Sequence, residues 1–164
     1  AGWGTVRYHP LADIRTEIGQ RREISIPGQR GRSIVASNSI LSFVSEDGMT
    51  GVALHQGEAW FEHEAGDGAF FVRANTGKTI SSGGTFDVAA YDGNVTTIAE
   101  NNGLLIDVAG QRQTLKEGNA LTYHAGGIAS PAHPVDVQSA LAWRQGQLIF
   151  MAEPLEYVAT VMER

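Results

Sequence analysis

The chain has 164 residues, enough for one domain or one domain with a small appendage, and a 42% hydrophobic fraction that can bury a real core without covalent staples. It contains no cysteine, which excludes disulfides, thiol catalysis and Cys-ligated zinc. The net charge of −6 is uneven: residues 1–32 carry six arginines (Arg7, Arg15, Arg21, Arg22, Arg30, Arg32) against three acids, a balance of +3, and residues 33–164 carry six basic against fifteen acidic groups, a balance of −9, so the bulk of the chain is unsuited to nucleic acid.

In chain order, the pattern is one of short strands between glycine turns. Arg21 to Ile26 alternates and ends at Pro27-Gly28. Ser39 to Val44 ends at Glu46-Asp47-Gly48. Val52 to Leu54 is short and breaks near Gly57, and Glu58 to Glu62 follows as a strand of its own. Phe70 to Arg73 precedes Asn75-Thr76-Gly77. Phe86 to Tyr91 precedes Asp92-Gly93, and Val95 to Ile98 precedes Asn101-Asn102-Gly103; both turns carry a hairpin signal. Leu104 to Val108 and Leu121 to Tyr123 complete the series. Strands at intervals of about 8–12 residues predict a mainly β protein, a solenoid- or sandwich-like array of short antiparallel strands. The core is expected from Ile24, Ile26, Ile34, Leu41, Phe43, Val52, Leu54, Trp60, Phe71, Val72, Phe86, Val88, Val95, Ile98, Leu105, Val108 and Leu115.

Composition shifts at Ser130-Pro131-Ala132-His133-Pro134, which reads as a linker. A C-terminal strand over residues 147–151 and one α-helix over 154–163 are expected beyond it. Pro154 suits a first helical position, and Leu155, Val158, Ala159 and Met162 share one face. The expected division is therefore a β domain over 12–129 and a linker, strand and amphipathic helix over 130–164. No stretch approaches the roughly 18 apolar residues of a membrane span. Ala1-Gly2-Trp3-Gly4 lacks the basic segment and apolar run of a signal peptide. The expectation is a cytosolic protein or a soluble piece of a longer one.

No arrangement of chemistry-bearing residues stands out. His63 lies between Glu62 and Glu64, but on a strand the two carboxylates share one face and the imidazole points to the other, so no metal site is expected. Glu58 and Glu62 share a face and would form a glycosidase pair only in a cleft the sequence does not announce. Neither a Gly-x-Ser-x-Gly elbow nor a phosphate-binding glycine loop occurs, and no cofactor is expected.

One segment is distinctive. Leu54-His55-Gln56-Gly57-Glu58-Ala59-Trp60-Phe61-Glu62 resembles the signature strand pair of the FecR family, Leu-x-x-Gly-Glu-Ala-aromatic-Phe-Glu. Phe70-Phe71-Val72-Arg73-Ala74 resembles the next family strand, and Gly83-Gly84-Thr85-Phe86-Asp87-Val88 falls on Gly-Thr-x-Phe-x-Val. The segment from Asp13 to Arg22, which includes Thr16 and Gly19, is similar to the opening strand. Leu115-Lys116-Glu117-Gly118 is similar to a Leu-x-x-Gly turn. Ala142-Trp143-Arg144-Gln145-Gly146-Gln147-Leu148-Ile149-Phe150 with Pro154-Leu155 is similar to the closing motif. Six pieces in order, over about residues 12–163, make the resemblance specific.

The resemblance implies the periplasmic domain of a single-pass inner-membrane anti-sigma regulator. Such a regulator holds an extracytoplasmic-function sigma factor through a cytoplasmic region absent from this chain, and it reads the signalling domain of a TonB-dependent outer-membrane transporter, often one for iron uptake. It implies no enzymatic activity on a substrate. Some family members cut their own chain at the Gly-Thr of the motif with the threonine hydroxyl; here Gly84 occupies that position and Thr85 stands one residue late, on the opposite strand face, so self-cleavage is expected to be absent. The resemblance also implies a short βαβ subdomain of the secretin/TonB type, only begun by Arg164. The apolar residues Leu148, Phe150, Leu155, Val158 and Met162 are the expected partner-facing surface. A carbohydrate- or polymer-binding β module is the alternative reading, and a polysaccharide lyase or glycosidase a third.

Overall fold

The structure is a computed structural model and describes residues 7–145, with side chains described from Ile14 onward. Its strands are β1 (Arg7–Arg15), β2 (Arg22–Ser25), β3 (Arg32–Val35), β4 (Ile40–Glu46), β5 (Met49–His63), β6 (Phe70–Ala74) and β7 (Gly77–Ser81). They continue as β8 (Gly84–Tyr91), β9 (Asn94–Asn101), β10 (Leu104–Val108), β11 (Gln111–Leu115), β12 (Asn119–His124) and β13 (Gly127–Pro134). A single turn of α-helix, α1 (Val137–Ala140), and a 3-10 turn at Ala142–Gln145 follow. The expected strand over 147–151 and helix over 154–163 lie outside the described residues.

Two sheets share one strand. Sheet A runs β1-β4-β5-β6-β7-β10-β11, and sheet B runs β2-β3-β5-β8-β9-β12-β13. The first half of β5 pairs with β4 and β6, and its second half with β3 and β8. Where the sequence suggests two short strands broken at Gly57, there is thus one bent strand. Gly57 has φ +98°, and a Cβ there would stand 2.1 Å from the Ser39 hydroxyl, so only glycine lets β5 pass from one sheet to the other at this point. Pairing is antiparallel throughout except between β5 and β6, which run parallel.

The main core lies between the sheets. It takes Leu41, Phe43, Val52, Leu54, Phe70, Val72, Leu104, Ile106, Val108 and Leu115 from sheet A, and Val35, Ala59, Phe61, Phe86, Val88, Leu121 and Tyr123 from sheet B. Phe61 stacks on Phe86 with ring centroids 5.2 Å apart and meets Phe70 at 5.6 Å. Most of the expected core residues are buried, but several assignments are corrected: Ile24 is only partly buried, and Ile34, Trp60 and Ile98 lie in an apolar cluster apart from the main core. Leu105 is only partly buried, because Leu104, Ile106 and Val108 are the inward set of β10 and one position reverses the face. Phe71 is buried on the outer face of sheet A with Val44 and Ala53, while Phe70 takes the central position.

The turns explain a further difference. Asp47-Gly48, Asp92-Gly93 and Ala109-Gly110 each place two residues at positive φ, the geometry of a tight hairpin turn, and each joins a hydrogen-bonded strand pair. Asn101-Asn102-Gly103 carries the same signal but joins β9 of sheet B to β10 of sheet A, which do not pair. Its geometry is held from outside: the Asn102 N–H donates to Glu117 Oε1 at 2.8 Å, and its side-chain amide donates to the Gly83 carbonyl at 3.2 Å. Residues 130–134, expected as a linker, form the second half of β13 against β12. Pro131 and Pro134 are accommodated because among the described residues β13 is paired on one side only, so that an absent N–H breaks no second ladder.

Candidate functional site

The signature residues divide by the face they occupy. Leu54, Ala59, Phe61, Phe86 and Val88 belong to the main core. Gly57 and Glu58 belong to a hydrogen-bonded knot at the bend of β5. There the Ser39 hydroxyl accepts from the Glu58 N–H at 3.0 Å, the Ser39 N–H donates to the Thr16 hydroxyl at 2.9 Å, and that hydroxyl donates to the Ala36 carbonyl at 2.6 Å. Thr16, in the opening motif, is therefore a buried tie between the end of β1 and the bend. Nothing in the sequence signalled Ser39, its partner across β5.

Trp60 and Glu62 point the other way, onto the outer face of sheet B. Cross-strand register sets Ile34, Trp60, Asp87, Ile98 and Ala120 in one row, and Arg32, Glu62 and Thr85 in the next. The segment after β13 lies over the first row. Leu141 is buried with Ile34, Trp60, Ile98 and Ala120 in a second apolar cluster, and Val135, Val137 and Trp143 pack against it. The sequence gives no sign that residues 135–145 return to the signature strand.

Polar groups close around the indole. Trp60 Nε1 donates to Glu100 Oε1 at 2.8 Å, and Arg144 Nη1 donates to the same oxygen at 2.6 Å. The Arg144 guanidinium lies 4.9 Å from the centre of the Trp60 ring, and that of Arg32 lies 5.3 Å from it. Arg32 also donates to Glu62 and to Glu23, each at 3.0 Å. Arg21 Nη1 reaches the Trp143 carbonyl at 3.0 Å. Beside this stack lies a polar cavity of about 560 Å3, walled by Arg32, Trp60, Glu62, Thr85, Glu100, Asn101 and Arg144 among others. Opening motif, signature strand, Gly-Thr motif and closing motif thus meet in one place. In sequence Arg32 stood out only as a charge, Arg144 only as part of the closing motif and Glu100 not at all, because the partners they share at this site lie far apart in the chain.

Burial by itself would raise the Glu100 carboxyl, but the hydrogen bonds from Arg144, Trp60 and Thr85 outweigh it and hold the group below the usual carboxylate range. The hydrogen bond that Arg32 donates to Glu62, against a smaller effect of burial, raises the guanidinium above its ordinary value. A carboxylate held ionised by three donors is the reverse of what a general acid needs. The arrangement staples elements together. Trp60 is only 4% exposed and Phe61 fully buried, so neither offers a ring face to a sugar. Glu58, which shares the outward face with Glu62, is buried as well.

Outside the cavity, His63 points inward, its Nε2 2.6 Å from the Gly68 carbonyl and its ring against Phe70. Among the described residues no group of three or more His, Asp or Glu side chains could hold a metal ion, and no helix is long and apolar enough to cross a membrane. Gly83 and Gly84 have φ +137° and +121°. A Cβ at Gly84 would stand 2.2 Å from the Asn101 carbonyl oxygen, so this backbone leaves no room for a threonine at the position where family members carry one. The expected partner-facing residues Leu148, Phe150, Leu155, Val158 and Met162 lie outside the described residues.

Comparison with known proteins bears on this arrangement. The family model described as FecR protein matches residues 12–104, more than half of the chain. Two crystal structures of a candidate anti-sigma factor from Parabacteroides distasonis ATCC 8503 share the fold, with TM-scores of 0.74 and 0.72 and sequence identities of 20% and 19%. Each alignment covers 94% of this chain, and 74% and 71% of the solved chains respectively. At that identity the likeness is one of fold. No curated protein matches significantly in sequence.

Proposed function

The chain belongs to the FecR family, and from that premise we propose that it is the periplasmic sensing domain of a membrane-anchored anti-sigma regulator. In this reading it binds the signalling domain of a TonB-dependent outer-membrane transporter and relays the signal, through a cytoplasmic region beyond this chain, to an extracytoplasmic-function sigma factor. The family match over residues 12–104 carries the reading. Further support comes from the chemistry of the Trp60 site, whose charged groups are spent on one another and leave a scaffold for binding in place of a reaction centre.

Signalling requires a surface whose interaction free energy differs between transporter states. Strand addition at a sheet edge is one route open to a β protein. Among the described residues β2 and β11 are paired on one side only, and neither carries proline. The apolar residues Leu148, Phe150, Leu155, Val158 and Met162 are a second route, by packing. Calorimetry at moderate salt between the intact periplasmic region and the signalling domain of a transporter encoded beside it tests the proposal. Saturable binding is the expected result; no heat of binding from the intact region would overturn it.

A further inference from the structure

Residues 135–145 differ from the strands they cover in how they are held. After the Val135 N–H, which donates to the Gly118 carbonyl at 3.1 Å, no backbone hydrogen bond between this segment and either sheet occurs among the described residues. The remaining backbone bonds are internal: Ala140 N–H to Asp136, Leu141 N–H to Val137 and Arg144 N–H to Leu141. Asp136 caps the short helix by accepting from the Ser139 N–H and hydroxyl. Among the described residues the segment is fixed to sheet B by buried Leu141, the partly buried Val135, Val137 and Trp143, and the polar contacts of its last residues: Arg144 to Glu100, Arg144 over Trp60, and Arg21 to the Trp143 carbonyl; Ala142 is buried as well.

The apolar cluster beneath the segment shares no residue with the main core. Removing the segment would therefore take nothing from the interface between the sheets. The ion pair that fixes its end forms one wall of the open cavity, within reach of water, salt and other solutes. The chain continues from Gln145, next to this ion pair, so a load on the following residues acts first on Arg144 and last on Val135.

We propose that residues 135–145 form a strap with a catch, opening as a unit while the sandwich stays folded, and that the catch is Arg144 held between Glu100 and the face of Trp60. Closed, the strap hides Ile34, Trp60, Ile98 and Ala120; open, it presents them as an apolar strip on the outer face of sheet B. Glu100 is a positioning residue in this device. The proposal stands on the packing of the strap and does not depend on the regulatory reading above.

Native-state hydrogen exchange followed by mass spectrometry tests it. In the parent protein the amides of Ala140, Leu141 and Arg144 should exchange by an opening insensitive to low concentrations of urea, while amides of β5, β8 and β9 exchange only through the urea-sensitive global opening. Glu100→Gln and Arg144→Ala should each speed exchange in 136–145 by at least about tenfold, since breaking a largely buried ion pair leaves one charge uncompensated, with the strands unchanged. Concentrated salt should act in the same direction on the parent and weakly on the variants. The proposal is overturned if strap and strand amides share one urea-dependent opening in the parent, a result that needs no variant to fold. It is equally overturned if both variants fold and leave strap exchange as it was.

Discussion

Replacing Gly84 by threonine restores the residue type that the self-cleaving pattern of the family carries, and the structure sets a cost on it. The φ of +121° is strained for any L side chain, about 1–3 kcal/mol. The new Cβ would sit 2.2 Å from the Asn101 carbonyl oxygen and 3.0 Å from the Asn102 side chain. Both are backbone-anchored by the turn to β10, so β8 and β9 must part at their bulged end, about 1–3 kcal/mol more. The expected loss is about 4 kcal/mol, or roughly 8–16 °C in Tm for a chain of this size. Urea denaturation followed by tryptophan fluorescence measures it. Gly28→Thr is the control, because Gly28 also has positive φ, +73°, but nothing within 4 Å of a Cβ, so it isolates the backbone strain. Equal loss in the two variants would mean that the Asn101 contact yields freely and would refute the steric part of the reasoning. Fragments separating at Gly83 on a denaturing gel of Gly84→Thr would refute the expectation that this backbone cannot self-cleave.

Two further outcomes are expected. Trp60→Ala should cost about 3–5 kcal/mol in the same assay, since it empties the centre of the outer cluster and takes one donor from the Glu100 carboxylate, while Trp60→Phe should lose only about 1–2 kcal/mol with the indole hydrogen bond. Stability should also fall in acid. Burial raises Glu46 and Glu100, but ion-paired hydrogen bonds from Arg73 and Lys78 to the first, and from Arg144 to the second, outweigh it and leave both below the ordinary value of 4.5. Groups depressed on folding contribute stability that is complete above their unfolded value and is lost as pH falls through the folded one. The denaturation midpoint should therefore hold above that value and decline below it, and the double variant Glu46→Gln, Glu100→Gln should show a flatter decline.

Much of the molecule was legible from local pattern. Alternation in β4 and β8 marks their inward faces, and Asp47-Gly48 and Asp92-Gly93 mark hairpins, because pleat and turn geometry depend only on neighbouring residues. The same locality explains the failures. Asn101-Asn102-Gly103 has hairpin chemistry, yet what decides whether a turn joins paired strands or crosses between sheets is the contacts made afterwards, here with Glu117 and Gly83. Residues 130–134 read as a linker because proline cannot serve a strand paired on both sides, and only the sheet order reveals that β13 is paired on one side among the described residues.

By itself the sequence determined the mainly β character, most of the buried residues, and, through six ordered motifs, the family. These rest on periodicity, turn chemistry and residue order, which are properties of the chain. Only the tertiary structure decided that β5 is one strand shared by two sheets through Gly57, and that Trp60 is covered by residues about eighty positions later. It alone brought Arg32, Glu100 and Arg144 around a single indole. A contact between residues so far apart leaves no local trace, because each side chain satisfies its own strand or turn equally well whether or not the other is there.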